Sequence, residues 1–344
     1  MIADPELGPH SEPPAFSCAL AVSPARAVTL RVRSASSPLP GPYTVVHVLP
    51  SGDEQMHLHY WSEGCTSAGA EPCFVTRHED TTGSLLVMRL APCLTEAQRD
   101  APPGKVAFLV PSQLSRLSVE NERGGVRVAA DCSDNLAVFT ASGDLHLSGA
   151  SGLIIASTGA GAAQLDDLDG CITVSLGRGD AVAKACRGEL RLASGAGKVN
   201  VTEFYGDLLS ISVEHGMVSV GEGEFGTLSI RLRDGPVHLS GVSCAKTLVS
   251  LHRGEVQFAG ALRPGRHQFS VGKGNVHLAL RKEQDIRFDL ATGSGEIICP
   301  LPAVAVGRQG RPGARSRRLV GASGDATAEV EVRVRQGDIS LAIG

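Results

Sequence analysis

Residues 143–206 read GDLHLSGAS GLIIASTGA GAAQLDDLD GCITVSLGR GDAVAKACR GELRLASGA GKVNVTEFY G, and each block opens on a glycine. Gly143, Gly152, Gly161, Gly170, Gly179, Gly188, Gly197 and Gly206 therefore recur every nine residues without a slip. The beat continues more loosely through Gly216, Gly226, Gly235, Gly254, Gly265, Gly274 and Gly295. After most of these glycines comes a polar residue and then an alternating run, as in GDLHLS, GELRLA, GEVQFA and GNVHLAL. That is a turn followed by a strand with one buried face. A fixed period this short marks a β-solenoid, because a helical repeat needs roughly 30 residues or more.

Alternation sorts the side chains. Leu145 and Leu147, Leu190 and Leu192, Val199 and Val201, Leu228, Ile230 and Leu232, and Val276, Leu278 and Leu280 point inward. His146, Arg191, Asn200, Ser229, Arg231 and His277 face water. Glycine supplies the positive φ or the close backbone approach needed at each corner. Two strands per circuit give coils of roughly 18 to 20 residues, stacked at the ~4.8 Å strand spacing. Stacking then buries what no coil can bury alone, at ~1.5–3 kcal/mol per fully buried aliphatic side chain. Composition agrees. Glycine is raised to 41 of 344 residues, apolar residues reach 42%, and aromatics are only 4%, so Val, Leu, Ile and Ala must fill a thin interior. The expected fold is all-β: a β-solenoid of short two-strand coils with a strand repeat of about 9–10 residues, preceded by a small β cap domain.

One stretch competes with this reading. MVSVGEGEFGTLSIRL, residues 217–232, contains a formal G-x-G-x-x-G at Gly221, Gly223 and Gly226. A dinucleotide cradle needs a helix after the glycines, so that pyrophosphate meets its positive N-terminus. Here residues 227–232 continue with period two, and Glu222 and Glu224 put negative charge where phosphates belong. The motif is a turn.

The repeated strands ASGDLHLSG, GKVNVTEFYGDLLSIS and GKGNVHLAL, within residues 105 to 344, resemble the adhesin-like β-strand repeat family, whose defining domain has no known function. The resemblance implies a β-solenoid with a binding or scaffolding role, and it carries no catalytic residues. In character it is closest to the intracellular eukaryotic members. Along the chain, residues 1–15 are polar, hold four prolines and read as disordered. Irregularly spaced alternating runs over 16–111 form the cap, 112–304 the solenoid, 305–324 a basic loop, and 325–344 two final strands. Net charge is −4 and the pI is near 6.3, which offers no global attraction to nucleic acid or anionic membrane. No secretory signal, basic presequence or 18-residue apolar run is visible, and nine scattered cysteines form no dense disulfide pattern. An intracellular, most simply cytoplasmic, protein is expected, with mitochondria left open.

Candidate sites are few. Arg308, Arg311, Arg315, Arg317 and Arg318 form a basic run that could take an acidic partner, phosphate or RNA, against the bland reading of a solvated linker. His57, His59, Cys65, Cys73 and His78 are the nearest approach to a metal set, but Cys-x7-Cys is not a zinc spacing. Asp166, Asp167 and Asp169 could serve a carbohydrate-active β-helix enzyme, yet they lack the G-G-x-G-x-D calcium repeat and read better as turn carboxylates. Arg178-Gly179-Asp180 and the sequon at Asn200 need exposure outside the cytosol. No nucleophile elbow or phosphate loop occurs, so no catalytic residue, cofactor or metal is assigned. The leading expectation is a non-enzymatic scaffold that binds protein partners.

Overall fold

The computed structural model describes residues 16–21, 27–34, 44–51, 55–61, 73–79, 83–90, 104–110, 114–129, 134–281, 285–301, 303–305, 317–324 and 326–343. Strands joined by turns account for them, with no helix among the described residues. They belong to two compact units, Met1–Leu176 and Gly177–Gly344.

In the first unit the strands Arg116–Arg123, Asn135–Ser142 and Ser151–Ala160 pair in parallel, with Leu117 beside Leu136 and Leu136 beside Ile154. The shorter strands Val126–Ala129, Leu145–Ser148 and Ala163–Asp166 pair likewise, with Val126 beside Leu145 and Leu145 beside Ala163. One circuit is thus a long strand, a corner, a short strand and a second corner. Inward positions are closed off: Leu117, Val119, Leu136, Val138, Leu145 and Leu147 are at most 2% exposed. The expected outward residue His146 is half-buried between them.

Two earlier circuits join this stack out of order. Ala27–Ser34 pairs in parallel with both Gly83–Leu90 and Arg116–Arg123. Thr44–Pro50 does the same with Gly104–Val110 and Val126–Ala129. The circuit made second therefore lies outside the circuit made first. Antiparallel strands follow it: Gln55–Trp61 on Gly104–Val110, Phe16–Ala21 on Gln55–Trp61, and Cys73–Glu79 on Gly83–Leu90.

The second unit stacks in the same manner. Val218, Val237, Val256 and Val276 are successive partners at intervals of 19, 19 and 20 residues. The extended run Arg187–Asp234 carries the chain around several corners, and the stretch GEGEFG lies inside it. Gly221 pairs with Ser240 and Thr227 with Lys246 in unbroken β register, so strand, not helix, follows these glycines. Beyond Leu280 the order changes. Ala328–Gln336 pairs in parallel with Gly265–Lys273 on one side and Ile286–Thr292 on the other. Ile339–Ile343 pairs with Val276–Leu280 and with Ile297–Ile298. A late circuit thus fills a level between two earlier ones. Arg317–Ser323 then runs antiparallel on Ile286–Thr292, and Ala303–Ala305 antiparallel on Arg317–Ser323.

The corners explain the glycine beat. Gly235 has φ +138°, and a Cβ there would lie 1.6 Å from the Gly216 carbonyl oxygen of the circuit below. Both the left-handed backbone and the vertical approach demand glycine. The column also follows the altered order: a Cβ on Gly337 would meet Gly274 O at 2.1 Å, and one on Gly295 would meet Gly337 O at 2.1 Å. The aspartate after the glycine has its own task. Asp144, Asp180 and Asp338 accept hydrogen bonds through Oδ1 from the amides of Ala162 (2.8 Å), Lys198 (2.7 Å) and Glu296 (2.7 Å) in adjacent circuits. Within the core, Thr140 and Thr158 donate to the carbonyls of Gly124 and Gly143, which satisfies polar groups that burial would otherwise penalise.

Candidate functional site

The outward face of the first unit carries the most distinctive surface. Three adjacent strands place Arg31, Glu120 and Phe139 in one row, and a groove of about 650 Å³ runs over residues 31–33, 120–122 and 139–141. Arg31 grips Glu120 through two hydrogen bonds, Nε to Oε2 at 2.5 Å and Nη2 to Oε1 at 2.9 Å. This fork holds the guanidinium's pKa above its ordinary value, chiefly through the hydrogen bond. Beside it Phe139, Leu153 and Ile155 are 39–40% exposed, although they are large and apolar. Leu153 pairs with Asn135 and Ile155 with Ala137, so the patch spans neighbouring strands. The sequence held one unread signal for it. In Leu153-Ile154-Ile155 three apolar residues run together, and a strand cannot turn all three inward; here Ile154 is buried and its neighbours face out.

The residues singled out from sequence are dispersed. Arg308, Arg311 and Arg315 lie outside the described residues. Arg317 and Arg318 begin a strand and turn onto the protein itself: Arg317 Nη1 is 3.4 Å from Glu296, and Arg318 binds Asp289 at 2.9 and 2.8 Å. Asp289 is also held by Arg333 at 2.9 and 2.7 Å. These two guanidinium forks, Arg333 first, push its carboxyl well below the usual carboxylate range.

His57 and His59 share a strand face with parallel rings 6.3 Å apart, and Ser17 Oγ lies 3.0 Å from His59 Nδ1. Burial, then the charge of His57, lowers the pKa of His59. Cys65 lies outside the described residues, as do the side chains of Cys73 and His78. Among the described residues no group of three or more His, Cys, Asp or Glu converges as metal ligands. Asp166 accepts from Gln164 at 2.7 Å and faces His146 at 3.3 Å, while Asp167 sits in a turn with φ +51°.

Sequence reading also missed a buried polar chain in the second unit. His267 is 0% exposed, with Nε2 2.9 Å from the Arg263 carbonyl and Nδ1 3.0 Å from Thr247 Oγ1. Cys244 Sγ lies 2.9 Å from the same hydroxyl. A carbonyl only accepts, so Nε2 carries the proton, Nδ1 accepts from Thr247, and Thr247 accepts from the thiol. Burial lowers the pKa of His267 and raises that of Cys244, leaving both neutral. Such a thiol is inert rather than nucleophilic. These side chains satisfy one another; they are not arranged around a substrate.

The described residues thus form an all-β protein of stacked parallel circuits, with exposed apolar side chains beside an ion pair in the first unit. Residues 103–342 match the Toastrack DUF4097 family, and the chain belongs to it. The family's β-solenoid-like fold accords with the all-β architecture of the described residues. Among solved structures the chain is similar to "a putative cell adhesion protein from Clostridium sporogenes ATCC 15579", at 10% identity over 96% of this chain and 99% of that one. The TM-score is 0.19. No curated protein matches the chain. Among the described residues no helix is long and apolar enough to cross a membrane.

Proposed function

We propose that the protein is a non-enzymatic scaffold, a β-solenoid of two-strand coils with a strand repeat of nine to ten residues, whose outward sheet faces bind protein partners. In this reading residues 16–111 close off the sheets of the first unit, whereas the expected closing strands at 325–344 fill an inner level instead, because Ala328–Gln336 is paired on both edges. The observation that carries the proposal is the exposed set Phe139, Leu153 and Ile155 beside the Arg31–Glu120 fork. An aromatic anchor surrounded by aliphatic contacts and a polar rim supplies affinity without moving parts. The underlying sheet holds these side chains at fixed spacing, which lowers the ordering cost of association.

Proximity labelling in the native cell, comparing the wild-type chain with a Phe139→Asp/Ile155→Asp double variant, tests the reading. The wild type should mark a specific set of neighbours, and the variant should lose them while keeping its melting temperature. Identical neighbours for both chains would remove the proposed surface. Turnover of an oligosaccharide by the purified protein, abolished by Asp167→Asn, would replace the scaffold with an enzyme.

A further inference from the structure

The order of circuits in the second unit leads to a property separate from the binding face. We infer that the circuit Ala328–Ile343 is exchangeable, and that it can fill the equivalent level in a second copy of this chain.

The circuits over 265–280 and 286–298 both precede Ala328–Ile343 in the chain, yet they do not pair with each other over this stretch. Phe269 and Leu290 both pair with Val332, and Val276 and Ile297 both pair with Ile339. They stand two levels apart, roughly 9.6 Å at the usual strand spacing. Whatever fills that level must offer two parallel strands with free edges on both sides. It must carry apolar side chains against Phe269, Val271, Leu278 and Phe288, and a glycine at the corner between Gly274 and Gly295. Val330, Val332, Val334, Ile339, Leu341 and Gly337 meet these demands. A second copy of the chain meets them equally, because its circuit is the same sequence.

Two further features favour exchange. The connection from Ser323 to Ala328 is short and contains Gly324 at φ +62° and Ala326 at φ +56°. Alanine in the left-handed region is strained, and a short strained connection is the kind that opens between copies. The polar clamp on the circuit is also indifferent to which chain supplies it. Arg333 binds Asp289, and Glu331 binds Gln268 at 2.8 Å and Arg266 at 3.3 Å. Closed and exchanged forms therefore share every contact except those of the connection. Protein concentration during folding then decides the outcome, because a formed circuit must break both of its sheet edges before it can move.

Lys273 and Gln336 are Cα partners on adjacent strands, and both are exposed. Adjacent parallel strands lie within disulfide reach. Full-length Lys273→Cys and full-length Gln336→Cys are unfolded together, refolded over a range of concentrations and oxidised, and the linked peptides are read by mass spectrometry. The Lys273→Cys/Gln336→Cys double variant serves as the reference for the closed form. A covalent heterodimer joined between positions 273 and 336 is expected, and its yield should rise with refolding concentration. It should fall several-fold with Ala326→Gly, which relieves the connection. His277→Cys with Ser340→Cys, the partner pair on the short strand, provides an independent readout should the first pair fold poorly. If the double variant links within one chain while the mixed single variants never link, the inference is overturned. Dimers that form without either linkage would overturn it too, since association would then use another surface.

Discussion

Residues 116–166 and residues 265–343 are built alike and assembled differently. Within the first stretch each circuit after Arg116–Ala129 pairs with the one made just before it. In the second, the last circuit settles between two earlier ones. Strand chemistry is the same in both: valine and leucine inward, glycine at the corner, a polar residue after it. Local sequence therefore specifies a strand and its inward face, but not its level. A level is chosen by what its neighbours alone can satisfy, such as the Asp289 carboxylate that awaits Arg333. Backbone bonding is nearly interchangeable between levels, whereas a partly buried charge is not.

The severest challenge to this comparison is at the corners. Gly235→Ala and Gly337→Ala place a methyl within about 2 Å of a backbone oxygen, and each should cost more than about 4 kcal/mol by chemical denaturation. Gly149→Ala, where a Cβ meets nothing within 4 Å, should cost only about 1–2 kcal/mol despite its φ of +64°. A mild effect at Gly337 alone would mean that the late circuit is loosely seated.

Val332→Ala and Val138→Ala both empty fully buried sites and should each cost about 2 kcal/mol. Folding kinetics should separate them. Val138→Ala slows folding, because its circuit forms with its chain neighbours, whereas Val332→Ala chiefly speeds unfolding. Equal partition of the two effects would erase the distinction in assembly order.

Asp289→Asn should cost about 1–2 kcal/mol near neutral pH, discounted because its arginine partners are partly exposed. The folded pKa lies below the unfolded value of about 3.9, so this stability is complete above that value and is lost as pH falls through the folded one. Wild type and variant should thus converge in acid melts. His267 acts in a higher window. Its folded pKa is also depressed, here below about 6.5, so its contribution is whole above that value and declines as pH drops below it. His267→Gln should flatten that decline between pH 7 and 5. The smallest effect belongs to the surface: Phe139→Ser, at a side chain 39% exposed, should cost about 1 kcal/mol or less.

Much of the fold could be read before any coordinates. Inward assignments such as Leu190, Val199, Ile230 and Leu278 rest on period two, which follows from strand geometry itself. That no helix follows the glycines at 221–226 was legible from the period-two alternation of Thr227–Leu232, although the glycines themselves continue the β register rather than making a plain turn. The interleaving was not legible, since Val276, Ile297 and Ile339 present the same alternating signal and pairing partners are a property of three dimensions. The exposed apolar set escaped for a different reason. The runs Leu136–Phe139 and Leu153–Ile155 are apolar on consecutive positions, so alternation alone does not say which side chains face out. Arg318 seemed a free cation until Asp289, twenty-nine positions away, was brought against it.

The column of corner glycines restricts how such a chain can change in length. Removing one residue from within a strand would turn the rest of that strand inside out and move a side-chain-bearing position toward a carbonyl of the floor beneath, unless a corner absorbs the slip as it does between the 19- and 20-residue circuits. Gain or loss is tolerable only in multiples of a full storey, so family members should differ in length by discrete jumps, with finer variation confined to the corners opposite the glycine column.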